Sequence, residues 1–329
     1  MILPYLSRLL CLGLAALFLV HLAAALIVAL FTPLAIRVAQ KLTAGRAARL
    51  FLTLRLMPFG LAALTVLGLC VPSYLWFEPE GINESVGYAC LFLAILGVLL
   101  CGIVVVRGVR AAVSSFRFAR SCRRSGYETH LIAAGDNPPA VVLEGSRPVL
   151  ALAGIVRPRL VISEAVVRAL SEEELSIALR HEHAHQISRD NLKRLCIFLA
   201  PGILPLLNGL RELERSWISF AEYAADEAAV AGDARSSLAL ASALVHVARL
   251  GRVAPSPTAI SFLEEVSDLS ARVDRLLTDS PSPEFAPHRS WLKVVFILSL
   301  ASCMAPMFFS TPIFQVVQSI LERLIVIRP

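Results

Sequence analysis

Hydrophobic positions in this chain fall into long blocks before they fall into stripes. Residues 9–31 read LLCLGLAALFLVHLAAALIVALF, with His21 the only strongly polar side chain. Residues 57–77 and 86–106 form two more blocks, and residues 291–314 a fourth. Each reaches the roughly 20 residues that an α-helix needs to cross a bilayer. The pattern predicts four transmembrane helices. The first block is too long for a signal-peptide core and lacks a clear small-residue cleavage region, so a retained span is expected.

Between the third and fourth blocks the pattern changes. Residues 107–289 are long enough for one compact domain and contain no internal repeat. Short β-branched runs come first: AVVLEG from Ala140, PVLALAGIV from Pro148 and PRLVIS from Pro158. Separated by Gly, Pro and Arg, they predict strands joined as hairpins. Helical sequence follows. Ser171 with Glu174 three positions on is a capping box, and the helix it opens should run past His185 toward Asp190.

Composition supports the membrane reading. The chain is 57% hydrophobic over 329 residues, with a mean hydropathy of +0.70, well beyond an ordinary soluble domain. Its net charge of +6 is unevenly placed. Arg37, Lys41, Arg46, Arg49 and Arg55 lie between spans one and two, and six arginines follow span three from Arg107 to Arg124. Glu78, Glu80 and Glu84 lie between spans two and three, without Lys or Arg. Since Lys and Arg favour the cytoplasmic side, the N-terminus is expected outside and the 107–289 domain inside. The arginines flank spans and accompany no binding motif, so nucleic acid is not an expected partner; anionic membrane lipid is. The seven cysteines include no C-x-x-C and five lie within apolar blocks, which predicts small apolar packing rather than a disulfide framework. His21 is expected to bond a neighbouring helix as a neutral imidazole.

Chemistry concentrates at LRHEHAHQISRDN, residues 179–191. At about 100° per residue, His181 and His185 share one helix face and Glu182 flanks it. An H-E-x-x-H helix offers two imidazoles to one Zn2+ and sets the glutamate beside the metal as a general base. His183 points elsewhere and is expected to be a bystander. A third ligand is still needed. SFAEYAADEAAVAGD, from Ser219, supplies Glu222, with Asp226 one turn on to orient a ligand histidine; small alanines let that helix come close. Glu212, Glu214 and Glu227 are weaker competitors. Residues 197–210 are apolar but short for a crossing, and a crossing would set Glu222 across the bilayer from His181. An interfacial or re-entrant segment, or one packed within the domain, is expected instead.

These residues resemble the BlaR/MecR-type integral membrane metallopeptidases, gluzincins related to the HtpX and CAAX prenyl protease group. HEHAHQISRDN with EYAADEAAV carries the resemblance, together with AGIVRPRLVIS, LSEEELSIALRHEHAH and SARVDRLL at Arg272. It implies His181, His185 and Glu222 as zinc ligands and Glu182 as catalytic base. The family's transducers carry an extracellular penicillin-binding sensor after the last span. Only residues 315–329 follow here, and a chain without that sensor is expected.

The sequence therefore reads as an α+β membrane protein: four transmembrane helices and a mostly helical gluzincin-type peptidase domain with a small β-sheet. Residues 1–124 hold three spans, 125–290 the cytoplasm-facing domain, and 291–329 the fourth span and a short tail. The expected activity is zinc-dependent endopeptidase cleavage of a protein or peptide, such as a transcriptional repressor or a membrane protein, at the cytoplasmic face of a bacterial cell membrane, in regulatory signalling. The residue that stabilises the oxyanion is left open among His246, His288 and Tyr223. Two other readings stand beside it. One is a non-enzymatic transducer or scaffold stabilised by zinc, which needs a fourth protein ligand; the other is a CAAX-type processing enzyme, for which four spans are too few.

Overall fold

The computed structural model describes residues 4–77, 86–129, 140–144, 148–202, 208–251 and 266–278, with Val316, Ser319 and Ile320. The fourth expected span, residues 291–314, and the Glu78–Glu84 loop lie outside the described residues, as does His288. Among the described residues three helices are long and apolar enough to cross a membrane. They are α1 (Tyr5–Ala39), the helix formed by α2 (Ala44–Thr65), a π turn (Val66–Cys70) and α3 (Val71–Phe77), and α4 (Tyr88–Ser125).

The helices outrun their apolar blocks. Arg46, Arg49 and Arg55 were expected in a loop, but they belong to α2, and Arg55 is buried. The arginines from Arg107 to Arg124 likewise continue α4 as helix. A polar side chain does not end a helix whose backbone bonds are already made, so hydropathy marks the membrane and not the element. Pro33 and Pro58 sit inside α1 and α2, as packed membrane helices tolerate. His21 is buried on α1 with its ring edge-on to Phe59.

At the end of α4 the chain enters a four-stranded sheet. The strands are β1 (Gly126–Thr129), β2 (Ala140–Leu143), β3 (Leu150–Ala153) and β4 (Arg159–Ser163). Their order is β1-β2-β4-β3. β3 and β4 form the expected hairpin, but β2 pairs with β4 in parallel, and β1 adds antiparallel to β2. β1, GYET, escaped the sequence reading because it has no apolar alternation.

Helices α5 (Glu164–Ala169), α6 (Glu172–Ser188) and α7 (Asp190–Leu199) follow, then α8 (Asn208–Val230), α9 (Ala234–Arg249) and α10 (Val266–Thr278). The domain core joins Val142, Leu150, Leu152 and Ile162 of the sheet to Ile177 and Leu179 of α6 and to Leu240, Leu244 and Val247 of α9. A second cluster ties domain to membrane: Ala25, Val28, Ala35 and Ala39 of α1 and Phe51 of α2 pack against Ile197, Leu210, Leu213 and Trp217. Gly209 permits that approach, since a Cβ there would come within 3.0 Å of Ala29 and Thr32. The described parts of 197–210 thus pack on the first two spans. α7 ends among arginines: Arg55 donates to the Ala200 carbonyl at 2.9 Å, and Arg107 to that of Phe198 at 3.3 Å. Cations at a helix C-terminus satisfy its last carbonyls and suit its dipole.

Candidate metal centre

The helix that carries the chemistry is well anchored. Ser171 Oγ accepts from the Glu174 amide, and Glu174 accepts from the Ser171 amide at 2.9 Å, completing the capping box. Ser242 of α9 also donates to Glu174, and His246 Nδ1 lies 2.9 Å from it. Burial acts to raise the Glu174 carboxyl, but these hydrogen bonds and the nearby imidazole outweigh it and hold the group below its ordinary value. His246 therefore serves the start of α6, two turns away from His181.

His181 and His185 point the same way from α6, with their Nε2 atoms 3.1 Å apart. Glu222 of α8 faces them, placing Oε2 3.4 Å from His181 Nε2 and Oε1 3.4 Å from His185 Nε2. Among the described residues these three form the group able to hold a metal ion. Donors about 2.0–2.1 Å from a tetrahedral zinc stand about 3.3 Å from each other. The observed spacing fits that requirement.

Each histidine has a carboxylate behind it. His181 Nδ1 lies 2.9 Å from Asp226 Oδ1, one turn beyond Glu222. His185 Nδ1 lies 2.8 Å from Asp190 Oδ2. A carboxylate on the far ring nitrogen fixes the orientation of a ligating histidine and raises its basicity. Burial works to lower both imidazoles, but these acids and Glu222 raise them above the ordinary value.

Asp190 was not singled out from the sequence, because on an unbroken helix the i+5 position from His185 leaves the histidine face. The structure breaks the helix there. Arg189 takes the left-handed conformation (φ 56°, ψ 42°) and α7 starts afresh at Asp190. Lys193 holds Asp190 in place at 2.7 Å. Arg272 was also not assigned a role. From α10 its guanidinium grips Asp226 at 2.6 and 2.8 Å and reaches Glu222 Oε2 at 3.0 Å. Burial pushes both carboxyls up, yet both are held below the ordinary range, chiefly by Arg272 at Asp226 and by His185 and Arg272 at Glu222. No local spacing could announce a partner 46 positions from Asp226.

Glu182 stands apart from this network. It is 1% exposed, and neither carboxylate oxygen has a hydrogen-bond partner among the described residues. Burial pushes its carboxyl up to about 7 against the pull of both histidines. A buried acid of this kind demands explanation. The remaining candidates go elsewhere. His183 is exposed. Glu214 lies 3.8 Å from Arg55, and Glu227 pairs with Arg275 at 2.6 Å. Tyr223 meets Phe220 edge-on and lies under the Arg275 guanidinium.

No curated protein matches the chain. A protein-family comparison matches residues 78–276, more than half of the chain, to the family described as BlaR1 peptidase M56. Three apolar helices, a His–His–Glu cluster fit for a metal and that match agree: the chain belongs to the BlaR1 peptidase M56 family, a family of membrane metallopeptidases.

Proposed function

We propose that this protein is a zinc-dependent endopeptidase that cuts a protein or peptide substrate at the cytoplasmic face of the membrane. His181, His185 and Glu222 hold the ion in this reading. Bound zinc supplies the Lewis acidity that lowers the pKa of water and polarises the scissile carbonyl. Asp226 and Asp190 orient the two imidazoles, and Arg272 keeps the paired carboxylates ionised and in place.

Glu182 is the base. It accepts a proton from the attacking water as the new C–O bond forms, and returns it to the amine as the C–N bond breaks. The observation that carries the reading is its buried carboxylate, without a hydrogen-bond partner among the described residues, one residue from His181. A site built only for stability has no use for such a group. The substrate backbone is held along β3. Among the described residues β4 lies between two neighbours, whereas β3 is an edge strand packed beside α6, which supports strand addition there. Asn191 donates to the Leu152 and Gly154 carbonyls and ties the end of β3 to the start of α7. The arginine-rich continuation of α4 leads into this domain, which supports a cytoplasmic orientation.

The test compares wild type with Glu182→Gln in membranes, by mass spectrometry of peptides and by metal analysis. The variant should keep one zinc per chain and accumulate an uncut substrate. Equal cleavage by both proteins would leave a zinc-stabilised transducer as the better account.

A further inference from the structure

A pair of thiols in the membrane half takes no part in the metal centre. Cys11 on α1 and Cys90 on α4 stand 79 positions apart in sequence, with Sγ atoms 3.8 Å from each other. Both are buried, in a cluster that also contains Cys70, Val66 and Tyr74. They nevertheless lie near the helix ends. Cys90 is two residues into α4 and Cys11 six into α1, or about 3 Å and 9 Å at 1.5 Å per residue. Aromatic side chains mark the same level. Tyr5 and Tyr74 bring their rings to 4.9 Å and exchange hydroxyl-to-carbonyl hydrogen bonds. Trp76 and Tyr88 are exposed there, as aromatics at a membrane–water boundary are.

The backbone fixes the contact. Gly97, two turns along α4, has no room for a side chain, because a Cβ would run into the Leu14 carbonyl of α1. The two helices touch, and the thiols have little freedom to part. Closing 3.8 Å to the disulfide length of about 2.0 Å needs side-chain rotation more than helix movement.

We propose that Cys11 and Cys90 are a disulfide-forming pair that, once oxidised, staples the first span to the third at the end of the bundle remote from the metal centre. The compartment rests on the orientation read from the loop charges, which turns this end outward, where thiols are oxidised. The co-reactant is a disulfide-bearing thiol oxidant. One cysteine thiolate attacks the oxidant's disulfide and expels one thiolate, and the second cysteine displaces the other. Two S–H bonds are lost, one S–S bond forms, two protons go to water and two electrons reduce the oxidant. Burial slows attack, so exchange proceeds through brief opening of the helix ends.

The experiment uses the full chain in membrane vesicles, with and without copper–phenanthroline. Samples are denatured, free thiols are blocked with N-ethylmaleimide, disulfides are reduced, and the released thiols are tagged with a maleimide polymer. Oxidised wild type should gain two tags. Cys11→Ser and Cys90→Ser should gain none, and Cys70→Ser should still gain two. An untagged wild type, tags that survive Cys11→Ser, or a reducible dimer would overturn the pair. Tags without added oxidant are expected in vesicles from cells blocked at harvest. Tags only after copper–phenanthroline would overturn the outward orientation and leave the pair standing. Metal content should be unchanged in every variant, so the outcome is independent of the peptidase reading.

Discussion

At the metal centre, ionisable side chains of α6, α8 and α10 meet within a few ångströms, almost without solvent. At the far end of the bundle, α1 and α4 meet through Gly97, two thiols and small apolar side chains. Both regions are buried and both join segments distant in sequence. They differ in what happens when one member is lost. A buried ion-pair network depends on all of its members, because removing one strands another's charge in a medium that solvates it poorly. Apolar contact is graded, and its cost follows the volume gained or lost. Damage to the first region should therefore be specific and chemical, and damage to the second should be mechanical.

The largest expected effect separates chemistry from structure within the centre itself. Glu182→Gln keeps size and removes the proposed base, so cleavage should fall by about 10²–10⁴-fold while zinc content and thermal unfolding stay near wild type. A loss of only a few-fold in a single-turnover assay would contradict the assigned role. Arg272→Met comes next, because it leaves Asp226 and Glu222 without their shared cation. Destabilisation of about 3–5 kcal/mol is expected from breaking such a buried pair. Zinc affinity should drop with it, measured by chelator competition, and Arg272→Lys should restore only part of it because one ammonium cannot grip both carboxylates.

Gly97→Val addresses the other region. Overpacking where α1 and α4 touch should cost about 1–3 kcal/mol, read as an earlier denaturation midpoint in detergent. Zinc stoichiometry should not change. If Gly97→Val also released the metal, the two regions would be more tightly coupled than their separate clusters suggest.

The smallest effect is at the start of α6. Glu174→Ala should cost about 1 kcal/mol, as loss of a capping interaction does. Its pH dependence has a definite sign. The folded carboxyl titrates below its ordinary value, so its contribution is complete above the unfolded carboxyl's pKa, about 4.3. That contribution is lost as pH falls through the lower folded value. Wild type and variant should differ in denaturation midpoint at pH 7 and converge in acid.

Sequence alone settled what local periodicity can carry. Blocks of apolar residues marked four spans, three of which are long apolar helices among the described residues, since crossing a bilayer is a matter of length. The cap at Ser171 and the spacing of His181, Glu182 and His185 could be read because a helix repeats every few residues. Glu222 and Asp226 could be named as a pair for the same reason, though not which histidine each would meet. Tertiary structure decided the rest. The left-handed turn at Arg189 swings Asp190 beneath His185, and α10 brings in Arg272 from 46 positions beyond Asp226. β1 closes a sheet in which β2 and β4 run parallel. Arg55 and Arg107, which looked like loop charges, end up on the last carbonyls of α7. Each of these depends on where the folded chain returns on itself, and that is set by packing between distant segments rather than by any repeat along the sequence.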